Sequence, residues 1–182
     1  MKYDRPLLLL AAALLMLLSF GVAAAEETAA DPAFAYRGIT WATPAEVLAA
    51  AEGVEDVALF QMQGETYTGY LLQGVLEFNT PAVLSYYYKQ EKLVAIWCSF
   101  MPMPAFDFAA RLLQYTGIYG EPTEFDTLLP TALANAVIPG ILDEDEILQI
   151  AGWELTDGTL VYLMNIDGNP EFICFNTETL LP

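Results

Sequence analysis

The stretch Ala82–Phe100, AVLSYYYKQEKLVAIWCSF, decides the fold. It contains two runs rich in β-branched and aromatic residues, Ala82–Tyr88 and Leu93–Phe100, on either side of the polar segment Lys89–Lys92. Such residues favour strands, and a short polar loop between two such runs is typical of a β-hairpin. The stretch therefore predicts two antiparallel strands, the clearest hairpin in the chain.

Further segments of the same kind lie on both sides of this hairpin. Each combines β-branched or aromatic residues with turn-forming neighbours, which is typical of strands. They are Val57–Met62, Thr66–Gln73, Val75–Phe78, Trp153–Thr156, Thr159–Ile166 and Glu171–Asn176. The pair Asp157-Gly158 favours the type I′ turn of a second hairpin.

A short helix is predicted ahead of the strands. Thr43 is suited to the N-cap, Pro44 to the first helical position and Glu46 to the third, which together predict a capping box. Gly53 supplies a left-handed stop. The apolar face of this helix is small, so the helix must pack against a larger element.

Three more helices are predicted in the second half of the chain. The longest is Phe106–Tyr119, which Gly120 and Pro122 bring to an end. Its apolar stripe consists of Phe108, Leu112, Tyr115 and Tyr119. Shorter helices are predicted at Thr131–Val137 and Glu144–Ile150.

These elements predict an α+β fold in which helices pack on an antiparallel β-sheet. Residues 34–182 have the length of a single domain. The order of a helix followed by strands occurs twice, in half-units of about 34–104 and 105–182. This order raises the hypothesis of an old duplication.

Residues 1–25 have the features of a signal peptide. Lys2 and Arg5 form a positively charged start, the apolar run Pro6–Val22 of about 17 residues follows, and Ala23-Ala24-Ala25 resembles a cleavage site. We therefore expect export to the cell envelope or the medium, cleavage after Ala25, and no membrane attachment afterwards. A retained membrane anchor is the alternative. Residues 26–33 would remain as a flexible acidic tail.

The charge of the chain bears on its partners. The full sequence has 6 basic and 24 acidic residues, for a net charge of −18, and cleavage of the leader would bring the net charge to −19. Such a surface repels nucleic acid, because it cannot neutralise phosphates. It suits solubility outside the cell, and it also suits a basic protein partner.

The residue types limit the chemistry. The sequence contains no histidine, which excludes Ser-His-Asp and Cys-His catalytic sites as well as histidine metal sites. A pair of carboxylates, such as Glu154 with Asp157 or Glu65 with Glu77, could in principle serve a glycosidase-like hydrolase. No motif distinguishes one such pair, so we predict no catalytic residue, no cofactor and no metal ligand.

The run Tyr86-Tyr87-Tyr88 is a candidate binding feature. Successive strand residues point to opposite faces, and Tyr86 and Tyr88 are in phase with the apolar residues Ala82 and Leu84. Tyr87 is therefore predicted to face outward, where it could bind a peptide or a glycan. The alternative is a cross-strand pair or cover by a loop.

Two further groups have a structural and a chemical interpretation. Cys98 and Cys174 lie in predicted strands of a chain predicted to be exported, so they are candidates for a disulfide, and buried free thiols are the alternative. Asp143-Glu144-Asp145-Glu146 could supply oxygen ligands to calcium. This run lacks the glycine turn of an EF-hand loop, and carboxylates at a helix N-terminus explain it better.

Three stretches carry a resemblance to a group of known proteins. They are YRGITWATPAEVLAA at Tyr36–Ala50, LQYTGIYGEP at Leu113–Pro122 and WELTDGTLVYL at Trp153–Leu163. They resemble motifs of small exported bacterial proteins, many of them uncharacterised. The layout of those proteins is similar to the β-lactamase-inhibitor-protein-like and small outer-membrane lipoprotein A folds. The resemblance implies a module that acts by binding other proteins.

The sequence thus predicts an exported, acidic, non-catalytic binding module that uses its sheet face or its hairpin ends. The alternatives are a carboxylate-based envelope hydrolase and a calcium-supported glycan-binding protein.

Overall fold

The computed structural model describes residues 34–53, 60–101, 108–124 and 126–181. These residues fall in the unit Ala33–Pro182. The predicted leader, the cleavage site after Ala25 and the predicted tail 26–33 lie outside the described residues. No described helix is both long enough and apolar enough to cross a bilayer.

The described residues form an antiparallel sheet of seven strands. The strands are β1 (Phe60–Gln63), β2 (Thr68–Glu77), β3 (Thr80–Lys89), β4 (Lys92–Phe100), β5 (Ile147–Glu154), β6 (Thr159–Ile166) and β7 (Asn169–Asn176). The hairpin predicted from Ala82–Phe100 is confirmed as β3 and β4. A turn at Gln90-Glu91 joins them, and both of these residues have positive φ. The predicted strands Thr66–Gln73 and Val75–Phe78 are one strand with a bulge at Gly74.

The order of the strands across the sheet is β1-β2-β3-β4-β7-β6-β5. Two runs of antiparallel neighbours, β1 to β4 and β5 to β7, therefore meet through their last strands. Each run includes strands from one of the predicted half-units. The idea of an old duplication stays a prediction.

Four α-helices accompany the sheet in the described part of the chain. They are α1 (Leu48–Ala51), α2 (Phe108–Tyr119), α3 (Leu128–Val137) and α4 (Thr177–Leu180). α2 and α3 confirm predicted helices, although residues 106 and 107, where α2 was predicted to begin, lie outside the described residues. The α+β class with helices packed on an antiparallel sheet is thus correct.

The predicted capping box at Thr43 is wrong. A 3-10 turn, Ala45–Val47, precedes α1, and its N-cap is Pro44, without a side-chain cap. The Thr43 hydroxyl instead accepts a hydrogen bond from the Thr40 backbone N–H at 2.9 Å. The predicted stop is correct, because Gly53 has φ +67°.

The prediction of a helix at Glu144–Ile150 is also wrong. Only a 3-10 turn, Glu144–Glu146, forms there, and β5 begins at Ile147. β5 pairs along its length with β6. These ladder hydrogen bonds outweigh the weak helical preference of a short segment. The turn at Asp157-Gly158 also differs from type I′, since of these two residues only Gly158 has positive φ.

Helices and loops cover both faces of the sheet. Face A is the face that carries Leu84, Tyr86 and Cys98, and it packs against α1, α2 and the segment from Phe34 to Trp41. Face B carries Tyr87, Ala95 and Ile173, and it packs against α3, Leu142 and α4. The predicted apolar stripe of α2 lies on face A, with its Tyr115 ring stacked on Phe172 at 4.1 Å between centroids.

The three stretches that carried the resemblance are joined to one another on face A. The Trp41 indole N–H donates to the Thr159 hydroxyl at 2.6 Å. The Trp153 indole N–H donates to the Gly120 carbonyl at 2.8 Å. Two tryptophans therefore hold the first loop and the end of α2 against the β5–β6 hairpin. These residues act as a scaffold.

Candidate functional site

Face B is exposed unevenly along the strands. Three rows of side chains cross β2, β3, β4, β7 and β6 in register. The inner row is buried at every position and consists of Gly69, Tyr87, Ala95, Phe175 and Leu160. The middle row consists of Leu71, Ser85, Trp97, Ile173 and Tyr162. The outer row consists of Gln73, Val83, Ser99, Glu171 and Met164.

The outer row is the most open of the three. Gln73 is exposed, and Val83, Ser99 and Glu171 are partly exposed, whereas Met164 is buried. In the middle row Leu71 and Trp97 are also partly exposed. Among these open residues, Val83, Trp97, Ser99 and Glu171 lie together on β3, β4 and β7, and we call them the Trp97–Glu171 patch.

A hydrogen bond joins the two principal side chains of this patch. The Trp97 indole N–H donates to the Glu171 carboxylate, with Nε1 and Oε2 2.6 Å apart. Ser99, directly opposite Glu171 in the β4–β7 ladder, also hydrogen-bonds to this carboxylate. Both donors come from β4 and the acceptor comes from β7, so the pairing of the two half-units builds the patch.

The surroundings of Glu171 disfavour the charged form of its carboxyl group. Burial raises the pKa of the Glu171 carboxyl to about 7, although the hydrogen bonds from Ser99 and Trp97 act in the opposite direction. Within the described residues the ion pairs are Arg37–Glu52 and Arg37–Glu77, and neither involves Glu171. Glu171 thus combines a partly buried charge with neutral hydrogen-bond donors.

Small side chains surround the indole of Trp97 on β3 and β4. Ser85 lies directly opposite Trp97, and Val83 lies directly opposite Ser99. Each of these three neighbours is much smaller than an indole ring, while the buried Ile173 lies directly opposite Trp97 on β7 and the indole packs against the face B core. The partly exposed edge of the ring, together with Val83 and Ser99, is the surface that this part of the sheet offers to a partner.

The expectation of an outward, exposed Tyr87 is wrong. Tyr87 does lie on the opposite face from Tyr86 and Tyr88, as the alternation predicts, but it is only 5% exposed. Its ring packs edge-on against Tyr67 at 5.6 Å. The face that alternation assigned to solvent is covered there, and Tyr87 has the structural role given as its alternative.

Of the two interpretations of the cysteines, the structure has the buried free thiols and not the disulfide. Cys98 and Cys174 are both free and fully buried on face A. Cys98 lies opposite Phe172, and Cys174 lies opposite Ile96, so the two cysteines are diagonal neighbours. Diagonal pairs stand about 7–8 Å apart, beyond the usual reach of a disulfide.

We expect neither thiol to react with a disulfide reagent in the native protein. Burial raises the pKa of the Cys98 thiol to about 12, and burial also raises that of Cys174. A colorimetric thiol assay should find no reactive thiol under native conditions and two thiols in urea without reductant. Recovery of no thiol in urea would contradict the assignment and restore the disulfide.

Several of the acidic residues singled out in the sequence have structural partners. Asp143 and Glu146 form a reciprocal capping box on the 3-10 turn, as expected for carboxylates at a helix N-terminus. Asp157 accepts the backbone N–H groups of Phe34 at 2.8 Å and Thr159 at 3.0 Å. No group of three or more acidic or cysteine side chains among the described residues is arranged to hold a metal ion.

A partly buried polar cluster on face A is a second unusual feature. The Arg37 guanidinium bridges Glu52 at 3.0 Å and Glu77 at 3.3 Å. The hydroxyl of Tyr86 donates to Glu52, and that of Tyr115 donates to Glu77 at 3.3 Å. These bonds tie the segment around α1 to β2 and β3, and they leave the carboxylates with little access to solvent. We assign this cluster a structural role.

Trp97, Ser99 and Glu171 are not among the site residues predicted from the sequence. The alternation within Leu93–Phe100 places Trp97 and Ser99 on the face opposite Ile96 and Cys98, and this local signal could have found them. The contribution of Glu171 has no local signal, because it depends on the register between β4 and β7. No family model, curated protein or solved structure matches the chain.

Proposed function

We propose that this protein is an exported, non-catalytic module that binds another protein through the Trp97–Glu171 patch. The observation that carries the proposal is a hydrogen-bonded indole and carboxylate on a part of face B that is open to solvent. Tryptophan is enriched at the centres of protein interfaces, because it offers a large apolar surface together with a polar edge.

The surroundings of Glu171 support binding rather than hydrolysis. A glycosidase requires a second carboxyl group about 5–10 Å away across a cleft. The shift in the pKa of the Glu171 carboxyl comes from burial and from the hydrogen bonds of Ser99 and Trp97, with no contribution from a second acid. The raised pKa alone does not supply a catalytic pair.

Affinity capture with a blocked patch tests the proposal. The purified protein is immobilised and exposed to envelope and culture-supernatant extracts of its source organism. Ser99→Gln places a longer neutral side chain on the outer row, and we expect it to reduce retention of a saturable partner at least about tenfold, or about 1.4 kcal/mol. Quantitative mass spectrometry of the eluates measures the loss.

Ala110→Gln is the matched control. Ala110 is exposed on α2, on the other side of the sheet, so the same glutamine is added away from the patch. Circular dichroism and thermal melting verify that both variants are folded. Equal retention by the wild type and by Ser99→Gln would overturn the proposal.

A further inference from the structure

We infer that the partner anchors itself with a lysine or arginine side chain that pairs with Glu171 and lies along Trp97. This inference rests on the proposed function, because it names the chemistry of a group that enters the same patch. The occupant is a basic segment of a protein.

The first argument is that the Glu171 carboxylate can accept more hydrogen bonds than it receives. A carboxylate has about four lone-pair sites, and Trp97 and Ser99 provide two donors. Glu171 is partly exposed, so an incoming donor can reach it. A partly buried carboxylate that lacks a cation is stabilised by a cationic donor more than by a neutral one.

The second argument is the position of the chain's own cations. Arg37 and Arg111 are engaged on face A, with Glu52 and Glu77 and with Thr80 respectively. Lys89 and Lys92 flank the β3–β4 turn. At a rise of about 3.3 Å per residue, this turn lies about 20 Å along the strands from Ser99. None of the basic residues in the described part of the chain therefore reaches Glu171.

The third argument is the shape and composition of the patch. An indole ring is the best aromatic partner for a cation, and it also packs against the aliphatic stem of lysine or arginine. Val83 adds apolar surface on the neighbouring strand. The net charge of −18 favours the approach of a basic segment over that of an acidic or neutral one.

Nuclear magnetic resonance with short peptides tests the inference on the whole protein. The probes are acetylated, amidated glycine peptides with one central lysine, arginine, norleucine or glutamate, so that this side chain carries the only charge. The reporters are the Trp97 indole N–H, identified by its loss in Trp97→Phe, and the backbone amides of Val83 and Ser99. We expect the lysine and arginine peptides to bind about tenfold more tightly than norleucine.

The matched variants remove the same charge at two places. Glu171→Gln should abolish the preference for lysine over norleucine, whereas Glu91→Gln, in the exposed β3–β4 turn, should retain it. Equal binding of lysine and norleucine, or an unchanged preference in Glu171→Gln, would overturn the inference. A concentration-dependent shift of the reporters without any probe would also overturn it, in favour of a second copy of the chain.

The two proposals can fail separately. If Ser99→Gln loses the captured partner but Glu171→Gln keeps it, the binding function stands and the cationic anchor is refuted. If the lysine preference depends on Glu171 but capture is insensitive to Ser99→Gln, the anchor chemistry stands and the protein-binding function is refuted.

Discussion

Replacing Glu171 by glutamine is expected to stabilise the protein at pH 8 by about 3 kcal/mol and by less than about 1 kcal/mol at pH 5. The pKa of Glu171 is about 7 in the folded protein, because burial disfavours the charged carboxylate, and about 4.5 in an ordinary setting. The folded state therefore holds the proton more tightly than the unfolded state. As pH rises from 4.5 to 7, the wild type loses stability, while glutamine resembles the protonated acid throughout. Urea unfolding at the two pH values measures the difference.

Glu91→Gln is the control for this prediction, because it removes one charge from an exposed turn. Relief of general repulsion in a chain of net charge −18 would stabilise both variants alike. A pH-dependent gain confined to Glu171→Gln identifies the buried carboxylate as its source. A gain of the same size in both variants, or no gain at pH 8, would contradict the proposed state of Glu171.

Replacing Arg37 by methionine is expected to lower the free energy of unfolding by about 3 kcal/mol. Removal of one partner from a buried salt bridge typically lowers stability by about 3–5 kcal/mol, since a charge is left without compensation. Here one guanidinium serves two carboxylates, whose side chains are 1% and 10% exposed in Glu52 and Glu77. The lower end of the range applies because the Arg37 side chain is 28% exposed. Urea unfolding at pH 7 measures the loss.

A triple variant separates charge from packing in this cluster. Arg37→Met combined with Glu52→Gln and Glu77→Gln keeps similar volumes and removes all three charges, so it should recover most of the lost stability. If the triple variant is as unstable as Arg37→Met alone, the loss comes from packing of the arginine stem. If Arg37→Met has the same free energy of unfolding as the wild type, the cluster does not hold the first loop to the sheet.

The correct parts of the sequence analysis rest on short-range patterns. The hairpin of β3 and β4, the strand β6 and the apolar stripe of α2 each follow from residue types within about 20 positions of one another. Alternation in β3 also assigns Tyr86 and Tyr87 to opposite faces. Such features depend on the preference of each residue type for helix or strand and on the spacing of apolar residues. Both can be read from the local sequence.

The errors occur where a distant element decides the outcome. β5 forms a strand because β6 lies beside it, and Tyr87 is buried because face B is covered around it. The two cysteines are diagonal neighbours, and not directly opposite each other, because of the register between β4 and β7. None of these three outcomes has a signal within its own segment.

The sequence by itself determined the α+β class, the main hairpins, the acidic character and the absence of histidine chemistry, because composition and short-range period are properties of the chain alone. Only the tertiary structure decided which face remains open and which side chains meet there. Trp97 and Glu171 are 74 positions apart, and they come within 2.6 Å because β4 and β7 are neighbours in one register. A shift of that register by one residue would turn Glu171 to face A, since adjacent strand residues point to opposite faces.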